Sequence, residues 1–173
     1  MYRLVSGKVI CSLGLCLALD VSVTPLFRFD FFYPPVFLYL LVLYTAFVWQ
    51  GRHTFEMGVG VGLLKDLVSF QPLGLETIVL GLASFVLAFV VQKIDRESLV
   101  NRFLACFVFV LSVSFLVWGL ARFLVSSSEI SWYPVTACLT LALSTSIVMP
   151  VFFYLISWWF KDHEPLKQYE LFG

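Results

Sequence analysis

Apolar residues fill this chain in runs of about twenty, and polar residues collect mostly between the runs. A helix needs about 20 apolar residues to cross a hydrocarbon core. The pattern predicts spans over Val9–Phe27, Phe31–Trp49, Thr54–Phe70, Gly74–Val91, Phe103–Val125 and Trp132–Phe160. The third is short and carries charge. Read instead as a re-entrant segment, it leaves five spans and puts the two termini on opposite sides. The sixth is over-long: at 1.5 Å per residue it runs about 43 Å, against a core of roughly 30 Å. Tilt or a kink is therefore expected, and Pro150, which frees the carbonyl of Ser146, supplies one. Trp158, Trp159 and Lys161 form an interfacial anchor at its end. The predicted fold class is all-α: a single polytopic membrane domain, 1–173, with about six transmembrane helices.

Composition agrees. The chain is 61% hydrophobic and 18% aromatic, and only 13% charged, about half the charged share of a soluble domain. Mean hydropathy is +0.96. Lys and Arg number 11 and Asp and Glu 11, so no basic surface invites nucleic acid. The spans use up nearly all residues and leave no room for a soluble domain of ordinary size. On six spans, Arg3, Lys8, Arg52, Lys93, Arg96, Arg102, Lys161 and Lys167 fall on one side. Arg28, Lys65 and Arg122 fall on the other. The positive-inside bias makes the first side cytoplasmic, with both termini there. Arg3 and Lys8 before Val9–Leu19 have the layout of a signal peptide, but no A-x-A-like site follows and Asp20 interrupts the run. Leu13-Gly14-Leu15-Cys16 departs from a lipoprotein box at Leu15. An uncleaved first helix is expected, and no lipidation pattern is present.

Charge inside the third span changes the picture most. A charge at the bilayer centre costs roughly 2.5–3.5 kcal/mol on insertion scales. At the 3.6-residue period Gly58, Gly62, Lys65, Asp66 and Ser69 share one face, and Leu63, Leu64, Leu67 and Phe70 take the opposite one. The fourth span carries a matching stripe, Thr77, Gly81, Ser84 and Ala88. Small residues let membrane helices approach closely. A short turn through Pro72 and Gly74 makes the two spans an antiparallel pair. Glu76 falls in the first turn of the fourth helix, where the macrodipole favours an anion. Asp20, Lys65, Asp66 and Arg122 lie at similar depth in the outer half, which predicts a buried ionic network among them. As architecture it would neutralise itself; as function it would open outward to a ligand or partner.

Reactive chemistry is scarce. Cys11, Cys16, Cys106 and Cys138 form no CxxC pair and read as small buried apolar residues. His53 and His163 sit on short cytoplasmic segments without a second ligand at helical spacing. No Ser-His-acid arrangement, phosphate-cradling glycine loop or zinc pattern is present. Asp66 with Asp20 lacks the motif context of an intramembrane proteolytic dyad. No enzyme and no cofactor are expected.

The run Gly60-x-Gly62-Leu63-Leu64-x-Asp66-Leu67, then Pro72-Leu73-Gly74-Leu75 and an apolar helix, resembles the MreD family, the rod shape-determining membrane proteins of bacteria. The resemblance departs in Lys65, which stands beside the acid. It implies a non-enzymatic component of the cell-elongation machinery in the cytoplasmic (inner) membrane. It implies pairing with the bitopic protein MreC, and indirect support of a RodA-type glycosyltransferase and its transpeptidase in peptidoglycan synthesis. It also implies a fold like the S components of energy-coupling-factor vitamin transporters. A substrate-binding S component is the alternative; it should show an alanine-x-x-x-alanine coupling face on its first helix, and Val9–Phe27 has none. A third class, a small channel or proton-coupled carrier, rests on the buried charges alone.

Overall fold

A computed structural model of the chain describes residues 2–26, 33–48, 52–68, 74–94, 98–125 and 133–160. Those residues form an all-α membrane helix bundle. In chain order the helices are α1 Tyr2–Leu26, α2 Phe37–Val48, α3 Arg52–Val68, α4 Leu75–Lys93, α5 Leu99–Val125 and α6 Tyr133–Phe160. Each overlaps one of the six runs read from the pattern, though α1 begins at Tyr2 rather than Val9 and α5 at Leu99 rather than Phe103. Among the described residues, three helices, α4, α5 and α6, are long and apolar enough to cross a membrane.

The second element departs from its expected bounds. It begins at Phe37 rather than Phe31, and residues 33–36 are not helical. Pro34 and Pro35 explain this. Neither has an N–H to give a helix, and a proline pushes the residue before it out of the α region. What remains of α2 is 12 residues, about 18 Å of helix.

That short helix is the centre of the molecule. α2 touches all five other helices, and every residue from Leu38 to Phe47 is buried. Its rings meet those of its neighbours edge-on: Tyr39 with Phe109 of α5 at 6.5 Å, Tyr44 with Phe153 of α6 at 5.5 Å. Lipid is as apolar as leucine, so close packing rather than water exclusion holds such helices together. Around α2, the pairs α3–α4 and α5–α6 make the broadest contacts, and α1 joins chiefly through α2. Large apolar side chains such as Leu67, Ile78, Leu82, Phe85, Ile147 and Tyr154 point outward, as suits surfaces facing lipid.

α6 runs through Pro150 without a break. Just before it, Ser144, Thr145 and Ser146 are all buried. Their hydroxyls donate to α6's own carbonyls: Ser144 and Thr145 to Leu141 at 3.0 and 2.7 Å, Ser146 to Ala142 at 2.8 Å. Folding hydroxyls onto the same helix lets adjacent polar residues enter an apolar bundle.

Candidate functional site

The first amides of a helix have no partner within it. α4 starts at Gly74, whose φ of 94° is a left-handed conformation that glycine adopts without strain. Glycine has no side chain with which to cap the helix. The cap comes from α3. Asp66, 3% exposed, receives the amides of Gly74 at 3.1 Å, Glu76 at 3.0 Å and Thr77 at 3.0 Å. The Thr77 hydroxyl donates to the same carboxylate. A carboxylate here also faces the positive end of α4's macrodipole.

Glycines bring Asp66 within reach. One turn back on α3, a Cβ on Gly62 would lie 2.5 Å from the Cα of Thr77 and 3.0 Å from the carbonyl oxygen of Glu76. Another turn back, a Cβ on Gly58 would lie 2.9 Å from the Leu80 carbonyl oxygen and would collide with the Ser84 side chain. As α3 climbs from 58 to 66 its partners fall from 84 to 74, so the two helices are antiparallel. Across the seam, Gly81 faces Val59 and Phe55 less tightly, with a Cβ distance of 3.2 Å to Val59 Cγ2. Ser84 and Ala88 are buried further along α4. The small-residue faces, Gly58 and Gly62 against Thr77, Gly81 and Ser84, therefore meet. Leu63 and Leu67 point away and are exposed, while Leu64 is half-buried.

Lys65 takes a different direction. Its Nζ lies 3.0 Å from Glu76 Oε2 and donates to the Tyr39 hydroxyl at 2.7 Å. The ammonium also stands over the Tyr39 ring, 4.2 Å from its centroid. With Glu76 only 4% exposed, this is a buried ion pair, and Tyr39 ties it to α2.

α2 begins in the same manner as α4. Asp20 of α1 accepts the Phe37 amide at 2.7 Å and the Leu38 amide at 3.3 Å. Thr145 of α6 accepts the Val36 amide at 3.3 Å. Two helix starts are thus each closed by an aspartate from the preceding helix.

This corrects the expected ionic network. Asp66 does not pair with Lys65: its carboxylate is taken up by the start of α4. Neighbouring residues on a helix point about 100° apart, so Lys65 and Asp66 reach different groups. Both aspartates answer backbone amides, and the acid partner of Lys65 is Glu76. Arg122 lies on α5 with its guanidinium 5.6 Å from the Trp118 ring centroid. Tyr39, Glu76 and Thr145 were not anticipated as members. One signal was available: once Gly62 faces Thr77, the antiparallel register sets Lys65 near Glu76.

Ser69, Phe70, Pro72 and His163 lie outside the described residues. His53 is on the surface, 3.5 Å from Glu56. The cysteines are free: Cys16 and Cys106 are buried, Cys11 is exposed and Cys138 is half-buried. Among the described residues no three His, Cys, Asp or Glu gather as a metal site would need. The arrangement is a polar clasp that fixes α1, α2, α3, α4 and α6 to one another around the starts of α2 and α4. A separate groove of about 630 Å³ opens between α4 and α5.

The family model described as rod shape-determining protein MreD matches residues 2–157. No curated protein and no solved structure matches the chain significantly.

Proposed function

The chain belongs to the MreD family of rod shape-determining membrane proteins, and from that premise we propose that it is a non-enzymatic scaffold of the cell-elongation machinery. It acts in the cytoplasmic membrane, with both termini in the cytoplasm. Its partner is an MreC-like bitopic protein, bound by helix-to-helix contact and by short periplasmic loops. Through that partner it supports a RodA-type glycosyltransferase and its transpeptidase in peptidoglycan synthesis.

The observation that carries this reading is where the buried carboxylates go. Asp20 and Asp66 are engaged by the backbone of helix starts, and Glu76 is engaged by Lys65. Such groups stiffen a platform; a transporter or protease would aim them at a substrate. The S-component alternative calls for an outward, enclosed pocket with polar groups converging on a vitamin. The groove between α4 and α5 is open and lined mainly by apolar side chains, which favours the scaffold.

Capture of the tagged chain from native membranes, followed by identification of the bound protein, tests the proposal. A single-span protein with a large periplasmic part is expected, and depletion of the chain should turn rods into spheres. Recovery of an ATPase module instead, with cell shape unchanged on depletion, would replace the scaffold by the transporter.

A further inference from the structure

The groove between α4 and α5 has one polar end. Lys93 and Asn101 stand where α4 finishes and α5 begins, and the walls beyond them are mainly apolar, from Val90, Val86 and Leu82 on α4 to Leu104, Val108 and Leu116 on α5; the Ser112 hydroxyl on the α5 wall is turned onto its own helix, donating to the Phe109 carbonyl at 2.9 Å. Lys93 is exposed and has no ion pair among the described residues. From Lys93 to Leu82 the α4 wall is about 16 Å long, and from Asn101 to Leu116 the α5 wall is about 22 Å. A single leaflet of hydrocarbon is about 15 Å deep. With Lys93 at one membrane surface, the α4 wall ends near the bilayer middle and the α5 wall about 7 Å beyond it.

A spanning helix would need to cover both leaflets, about 30 Å, and the groove is about 16–22 Å long. An occupant about one leaflet long, apolar along its length and anionic at one end meets every wall. We propose that this groove binds an anionic glycerophospholipid, with an acyl chain lying between α4 and α5 and its phosphate against Lys93 and Asn101. Basic side chains between membrane helices recognise anionic headgroups in this way. With the termini cytoplasmic, Lys93 faces the cytoplasmic leaflet, where anionic lipids would supply the occupant. The binding would make packing of the α4–α5 edge depend on lipid composition, a property independent of which protein the scaffold holds.

The test uses the full chain in micelles given equal amounts of phosphatidylglycerol and phosphatidylcholine, with bound lipid read by native mass spectrometry. One phosphatidylglycerol per chain should be retained at about fivefold over phosphatidylcholine, the preference expected of one lysine near the surface. Lys93→Gln should bring that ratio close to one. Val108→Trp, at an exposed wall position, should fill the groove and remove most bound lipid of both kinds without lowering the melting temperature. A photo-crosslinker at Leu104 in native membranes should label lipid. An unchanged ratio in Lys93→Gln, retained lipid in Val108→Trp, or a crosslink to a polypeptide would each overturn the proposal. Because Lys93→Gln alters only a surface charge, its result stands even if Val108→Trp fails to fold.

Discussion

Replacing Asp66 by alanine removes the acceptor for three backbone amides and for the Thr77 hydroxyl. Each donor stranded in a buried place costs about 1–3 kcal/mol. Neighbouring losses in one network do not add, so the full sum is not expected, and the loss should be about 3–5 kcal/mol. Asp66→Asn is milder. Its carbonyl can take over the role of Oδ2, which serves Gly74 and Thr77. Its amide then opposes the Glu76 N–H, donor against donor, and the charge that met the helix dipole is gone. A loss of about 1–2 kcal/mol is expected. Unfolding in mixed micelles of mild and denaturing detergent measures both. A double-mutant cycle identifies the cause. Asp66→Ala with Thr77→Val should show coupling of about 1–2 kcal/mol, and Asp66→Ala with Lys65→Met should show far less. Amide exchange at Glu76 and Thr77 should rise in Asp66→Ala. If Asp66→Ala unfolds within about 0.5 kcal/mol of the parent, or couples more strongly to Lys65 than to Thr77, the capping argument fails.

Gly62→Ala must move the α4 backbone and should cost about 2–3 kcal/mol, whereas Gly81→Ala meets a movable valine methyl and should cost under about 1 kcal/mol; equal melting of the two variants would reject the seam. Glu76→Gln leaves Lys65 buried without its counter-charge and should cost about 3–5 kcal/mol, while Lys65→Met with Glu76→Leu together should recover most of it. Asp20→Ala strands the Phe37 and Leu38 amides at the start of α2 and should cost about 2–4 kcal/mol, read as a lower melting temperature and lower membrane yield. Reporter fusions should find the C-terminus at Gly173 in the cytoplasm and the Ser126–Ser128 loop outside it; the reverse at either position would sink the orientation.

The seam between α3 and α4 was legible because small residues repeat at helical spacing, and that repeat has few other causes. Gly58 and Gly62 on one side, with Gly81 and Ser84 on the other, were enough to pair the helices. The destination of Asp66 was hidden by its neighbour. Lys65 beside it suggests an ion pair, but adjacency along a helix is a 100° turn, and only the register shows which group each meets. The role of Asp20 was further out of sight, since its partners come at Phe37 and Leu38 after a connection without a pattern. The centrality of α2 left no trace of its own. In water, a helix apolar all round must be buried; in a membrane, the same ring of residues serves a lipid-facing helix equally well.

That ambiguity has a consequence for how the protein is made. Membrane helices leave the ribosome in order, and of the six helices described α2 follows α1 and precedes the other four. The helices α3, α4, α5 and α6 that enclose it in the finished molecule do not yet exist. During that interval lipid is the only medium available to most of its surface. A polar side chain suited to the finished interior would be stranded there. From Leu38 to Phe47 the helix surface is nearly all apolar: Thr45 donates to Val42 on its own helix, and the Tyr39 hydroxyl, at the tip of an otherwise apolar ring, gains Lys65 only when α3 arrives, so that surface suits both settings. It keeps the nascent helix in the bilayer and later fills the centre. Synthesis order therefore constrains this helix as firmly as its final neighbours do.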